Sequence, residues 1–141
     1  MESMLTREIY EVMRRYALRA GYDCYGDSIS YDVTFPLVVD GTKYSVLMKT
    51  ESLGTVNHVE FSFPDRIPEA RMKEASRVAN ELNSDIRFGA FRLVEHNGRV
   101  RYCFDTFLKS AQVTTDYFEE IMDLSIRTVE AYAPRLLALC E

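Results

Sequence analysis

The chain has 141 residues, with 17 Lys+Arg against 22 Asp+Glu, a formal net charge of −5 and a sequence pI near 5.1. This length predicts one domain over residues 1–141, and 47% hydrophobic with 28% charged residues excludes wholesale disorder and a fibrous repeat. The charged opening Met1-Glu2-Ser3-Met4-Leu5-Thr6-Arg7-Glu8 holds no apolar signal segment, and no run approaches the roughly 20 apolar residues that span a bilayer, so a cytoplasmic location without a membrane partner is expected.

From Leu5 the apolar positions Leu5, Ile9, Val12, Met13, Tyr16, Ala17 and Ala20 step by three and four, which predicts a helix over about Thr6 to Ala20, stopped by Gly21. After a turn-rich stretch from Tyr22 to Ser28 the period becomes two. Ile29, Tyr31, Val33 and Phe35 alternate with Ser30, Asp32 and Thr34, as in a half-buried strand. Asp40-Gly41 between Leu37-Val38-Val39 and Tyr44-Ser45-Val46-Leu47-Met48 predicts an antiparallel hairpin, and Pro36 marks a bend, a bulge or a free edge. A turn over 51–55 leads to a strand from Val56 to Phe63, with Val59, Phe61 and Phe63 on one side. A second helix follows over about Pro68 to Leu82, its Ala70, Ala75 and Ala79 small enough for close packing.

Asn97-Gly98 then predicts a second hairpin between Ile86 to Glu95 and Arg99 to Asp105, with Val100, Tyr102 and Phe104 opposed to Arg99, Arg101 and Cys103. A last helix capped by Thr114 carries the stripe Phe118, Ile121, Met122, Ser125, Val129 and Tyr132, which reads as core, with the alternative that part of it covers a dimer seam or a bound peptide, and Pro134 should kink or break it. The order αβββαββα gives an α+β fold, a five-stranded antiparallel sheet packed with helices. One face or edge of that sheet is left for water or for another chain.

The chemistry-bearing residues form no motif. Cys24, Cys103 and Cys140 are odd in number and lack a C-x-x-C pair, which disfavours a disulfide framework or a zinc knuckle. His58 sits among alternating strand residues and His96 in a turn, so both read as structural or surface residues, and no ligand spacing assigns a metal. Phosphate-loop, dinucleotide, metalloprotease and nucleophile-elbow signatures are absent. Asp23, Asp27, Asp32 and Asp40 read as turn and surface carboxylates. No catalytic, cofactor-binding or metal residue is assigned. Arg87, Arg92, Arg99 and Arg101, interleaved with Phe88, Phe91 and Tyr102, are similar to a nucleic-acid strand platform, but the acidic balance opposes phosphate affinity and disfavours nucleic acid as the partner.

One set of residues carries a family resemblance. Ile67-Pro68-Glu69, Asn80-Glu81-Leu82-Asn83, Gly89-Ala90-Phe91-Arg92-Leu93, Asn97-Gly98-Arg99-Val100-Arg101-Tyr102 and the threonine-capped last helix resemble the YbjN-like family of bacterial sensory transduction regulators. That family is similar in fold to the type III secretion chaperones. The resemblance implies a non-enzymatic regulatory or chaperone-like protein-binding domain, a homodimer, with a protein or peptide partner. It carries no functional residue across, and Asn80, Asn83 and Gly89 are expected to be cap, turn and packing positions. The alternative from another class is a small-molecule sensor or enzyme with a pocket between helices and sheet, lined by some of the nine tyrosines.

Overall fold

The computed structural model describes residues 2–51, 56–108 and 113–141, with side chains from Thr6 onward. The turn expected over 51–55 lies, apart from Glu51, outside the described residues. Helix α1 (Glu2–Arg19) is followed by strands β1 (Tyr25–Asp27), β2 (Asp32–Val39), β3 (Thr42–Glu51) and β4 (Val56–Ser62). A 3-10 turn (Glu69–Arg71) then leads into α2 (Met72–Asp85), β5 (Ala90–Val94), β6 (Arg99–Phe107), α3 (Thr115–Tyr132) and the short α4 (Pro134–Leu137). The sheet has six strands in the order β1-β2-β3-β4-β6-β5, every neighbouring pair antiparallel.

The α+β class and the antiparallel sheet are as expected, whereas the count of five strands is corrected to six. The extra strand, β1, is three residues long, contains Gly26 and has no alternation of its own, so it formed part of the predicted turn. The predicted strand also starts too early. Asp27 Oδ1 accepts the backbone N–H groups of Ile29 at 2.8 Å and Ser30 at 3.3 Å, which folds that segment into a turn. Tyr31 then takes a positive φ of 58°, and Ile29 is left 89% exposed instead of continuing the core face.

Two further expectations need new bounds: the second helix is α-helical from Met72 to Asp85, with Ala70 exposed in the 3-10 turn before it and not packed, and of Ile86 to Glu95 only Ala90–Val94 is strand. Three local signals have clear physical counterparts. Asp40 and Gly41 both adopt positive φ, 49° and 81°, closing a two-residue hairpin between Val39 and Thr42. Pro36 lies in β2 beyond Thr34, where pairing with β1 ends, so its missing N–H falls on a strand with a free side. The Thr114 side chain accepts the Tyr117 N–H at 3.2 Å and caps α3; the chain then breaks at Ala133 and restarts with Pro134 in the first turn of α4.

One face of the sheet is covered. Helix α1 packs on β2 and β3, α2 on β5, and α3 on α1 and β2. Ile9, Met13 and Ala17 from α1 and Phe118, Met122 and Val129 from α3 are buried with Val33, Val46, Met48, Val59, Phe61 and Tyr102 from the strands. Phe61 and Tyr102 meet edge to face, with centroids 5.9 Å apart. The covered face turns polar at one end. Thr50, Asn57 and Thr106 are register partners across β3, β4 and β6. Thr106 bonds the Tyr117 hydroxyl at 2.8 Å, but among the described residues the fully buried Asn57 amide has no hydrogen-bond partner.

The residues that carry the family resemblance meet in space. Asn83, near the end of α2, donates from Nδ2 to the Phe91 carbonyl at 2.9 Å and accepts the Phe91 N–H on Oδ1 at 2.8 Å. It therefore does for the outermost strand what a further strand would do. Gly89, at φ 84°, brings the chain against β6 so closely that a Cβ there would fall 2.5 Å from the Cys103 carbonyl oxygen. The Ile67 N–H bonds the Gly98 carbonyl at 2.8 Å and ties the segment before α2 to the second hairpin.

Candidate functional site: the uncovered sheet face

Strand alternation assigns the other face to the residues between the core positions. Three rows cross it. One runs Thr34, Leu47, Glu60, Cys103, Ala90; a second runs Asp32, Lys49, His58, Asp105; a third runs Pro36, Ser45, Ser62, Arg101, Arg92. The sequence places His58 and Glu60 two apart on β4 and Cys103 and Asp105 two apart on β6, and the β4–β6 register then sets Glu60 opposite Cys103 and His58 opposite Asp105.

The result is a polar cluster on rigid strands. His58 Nδ1 lies 2.6 Å from Asp105 Oδ1, and Nε2 lies 3.2 Å from Glu60 Oε1. Arg101 Nη1 donates to the same Glu60 oxygen at 3.3 Å. The Glu60 hydrogen bond raises the His58 pKa above its ordinary value, with Asp105 assisting and burial opposing. In return the His58 hydrogen bond lowers that of Glu60, with Arg101 assisting. The Cys103 thiol is buried, and desolvation pushes its pKa up to about 11. A thiol in that state is a poor free nucleophile at neutral pH. His58, Glu60 and Cys103 each offer a donor atom within 4.8 Å of the other two, so these are the described residues that could hold a metal.

Beside the cluster the face opens into grooves. One, of about 540 Å³, runs past Tyr25, Pro36, Lys43, Ser45, Ser62 and Arg99. A second, of about 440 Å³, shares Ser62 and Arg99 with it and continues along Glu60 and Arg101. This end of the face is basic, with Lys43, Arg92, Arg99 and Arg101 against Asp23 and Glu60, although the whole chain is acidic. The nucleic-acid platform suggested by the arginine hairpin does not form as expected. Arg92, Arg99 and Arg101 point to the uncovered face, while Phe91 and Tyr102 are buried on the covered one, so two of the three rings are not available for base stacking; Phe88, 42% exposed, precedes β5. His96 lies away from the cluster, lining a cleft with Arg66 and Glu141.

The tyrosines divide similarly. Tyr44 and Tyr102 are core residues whose hydroxyl pKa values burial pushes up to about 12. Tyr16 and Tyr22 line a cleft of about 290 Å³ between the end of α1 and the start of α3, with Arg19, Glu119 and Asp123. This cleft lies between two helices, not between helices and sheet, where the alternative reading put its pocket. The two sheet edges differ as well. Asn83 occupies the β5 edge at Phe91, whereas beyond Thr34 no described strand lies beside β2.

In the sequence His58 looks like an isolated strand histidine, because of the three groups around it only Glu60 is local, and Cys103 and Asp105 are 45 and 47 residues away. The available signal was the pair of i, i+2 spacings, His58/Glu60 and Cys103/Asp105, each confined to one face of a strand. No described helix is long and apolar enough to cross a membrane.

No curated protein matches the sequence. The crystal structure of YbjN from E. coli, described as "a putative transcription regulator", superposes with a TM-score of 0.63 over 93% of this chain and 94% of that chain, at 11% identity. That likeness establishes a shared fold. The family model for YbjN, described as "Putative bacterial sensory transduction regulator", matches residues 9–138. The motif residues that lock α2, β5 and β6 together lie within that match, and the chain belongs to the YbjN family of bacterial regulators.

Proposed function

We propose that this chain is a non-catalytic cytoplasmic regulator that works as a homodimer and, like the type III secretion chaperones, holds an extended segment of a protein partner. The carrying observation is the asymmetry of the sheet: helices cover one face, and the other offers two joined grooves with a basic rim. Family membership supports the regulatory part of this reading. The groove chemistry favours an acidic segment with interspersed apolar side chains, because Lys43 and Arg99 outnumber Asp23 in its lining and flank Tyr25, Pro36 and Pro64. The polar cluster does not suggest catalysis by itself, since its thiol is held protonated and its histidine is engaged on both ring nitrogens.

Two measurements test the proposal. Light scattering over a dilution series should give twice the 16.3 kDa chain mass, and a mass of one chain throughout would contradict the dimer. Extended acidic and apolar peptides should bind the wild-type chain and lose at least tenfold in affinity with the double reversal Lys43→Glu and Arg99→Glu. Binding unaffected by that reversal would contradict the groove.

A further inference from the structure

We infer that His58, Glu60 and Cys103 form a binding site for a divalent cation of the zinc class, with Asp105 as the group that orients the histidine. The three donors lie within 4.8 Å of one another on two adjacent strands, two of them in direct register. Tetrahedral zinc ligands at about 2.0–2.3 Å from the metal stand roughly 3.3–3.8 Å apart, inside that limit and close to the 3.2 Å between His58 Nε2 and Glu60 Oε1. Asp105 holds Nδ1 at 2.6 Å, so the ring is fixed with Nε2 toward Glu60, which is the carboxylate–histidine arrangement that supports metal-bound imidazoles. The donor set is one nitrogen, one oxygen and one sulfur. Sulfur excludes magnesium and calcium as good fits and favours zinc and its spectroscopic substitute cobalt.

The charges are compatible. A dication on the Glu60 carboxylate and the Cys103 thiolate is locally neutral, Asp105 and Arg101 offset each other, and Lys49, opposite His58 on β3, and Arg92, near Cys103, are further neighbouring cations. Binding transfers the thiol proton of Cys103, and the imidazolium proton when His58 carries one, to solvent. Three protein ligands leave the fourth position of a tetrahedral ion to water or to a group from a bound partner. The site lies on the uncovered face but does not depend on what covers that face.

The test uses the reduced, untagged full chain titrated with Co²⁺ or Zn²⁺ alone. Saturable binding at one ion per chain is expected, with a sulfur-to-cobalt charge-transfer band that disappears in Cys103→Ser and persists in Cys24→Ser and Cys140→Ser. The chain has two histidines, so NMR gives an independent readout in the wild-type protein: Zn²⁺ should shift the His58 imidazole and leave His96 unmoved. Asp105→Asn, at an exposed position that a fold tolerates, should weaken binding about 10- to 100-fold. Absence of saturable binding below about 0.1 mM, a charge-transfer band that survives Cys103→Ser, or a response at His96 instead of His58 would each overturn the assignment.

Discussion

On the helix-covered face the rows of the sheet run Val33, Met48, Val59, Phe104 and Phe35, Val46, Phe61, Tyr102, whereas the uncovered face runs Asp32, Lys49, His58, Asp105 and Thr34, Leu47, Glu60, Cys103. The strands are the same, and their alternation gives each face its own chemistry. Burial of apolar area holds the first face together, a term that falls on every residue in the row. The second face carries specific polar pairs, each worth little for stability, and is the face proposed to bind. A change on the covered face should therefore act on folding, and one on the uncovered face on recognition.

The strongest way to break this division is to empty a core position. Phe61→Ala, at a site with no exposed surface, should destabilise the protein by about 3–5 kcal/mol in urea unfolding, against about 0.5 kcal/mol or less for the neighbouring outward Ser62→Ala. Equal effects would remove the distinction between the faces. Next in size is the edge lock. Asn83→Ala leaves the Phe91 N–H and C=O without their partners and should cost about 1–3 kcal/mol, with faster amide exchange at Phe91. An unchanged exchange rate would show that the clamp adds nothing.

The covered face also has a flaw that sharpens the comparison. Asn57 is fully buried among the described residues with neither amide atom bonded, so Asn57→Val should stabilise the protein by about 1 kcal/mol or more. A loss of stability would mean that the amide has a partner in the folded protein.

The smallest expected effect lies on the uncovered face and depends on pH. His58 is raised by Glu60 first and Asp105 second, so its contribution is complete below the ordinary value of 6.5 and is lost as pH rises through the folded value. Glu60 is lowered by His58, so its contribution is present above the ordinary value of 4.5 and is lost as pH falls through the folded value. The pair therefore contributes most between these limits. The stability gap between wild type and His58→Gln should be largest near pH 5.5, about 1 kcal/mol or less, and should shrink by pH 8. A gap that widens toward pH 8 would contradict the raised His58 pKa.

This contrast also explains what the sequence made legible. Helix stripes such as Phe118, Ile121, Met122, Val129 and the alternation Val59, Phe61, Phe63 signal burial locally, and all of these are buried. Asp40-Gly41 sets a hairpin because two consecutive positive φ values are a local demand. Strand β1 escaped notice because three residues with a glycine leave no period to detect, and Ile29 misled because the Asp27 side chain outcompetes strand pairing there. The polar cluster was out of reach for another reason. Its members are local pairs joined by the β4–β6 register, and that register spans α2 and β5, so no window of sequence contains it. Asn83 was expected to serve as a cap or turn, and its role as a substitute strand partner depends on where β5 arrives.

The most direct test of the uncovered face as the binding surface is site-specific photo-crosslinking in bacterial cells. A photoreactive residue is placed at Ser45, exposed in the groove, or at Lys73, exposed on α2, and the adducts are resolved by mass after denaturation. The account predicts a discrete adduct from Ser45, either a second copy of the chain or a defined partner, and none from Lys73. No discrete adduct from Ser45, or the same adducts from both positions, would contradict it.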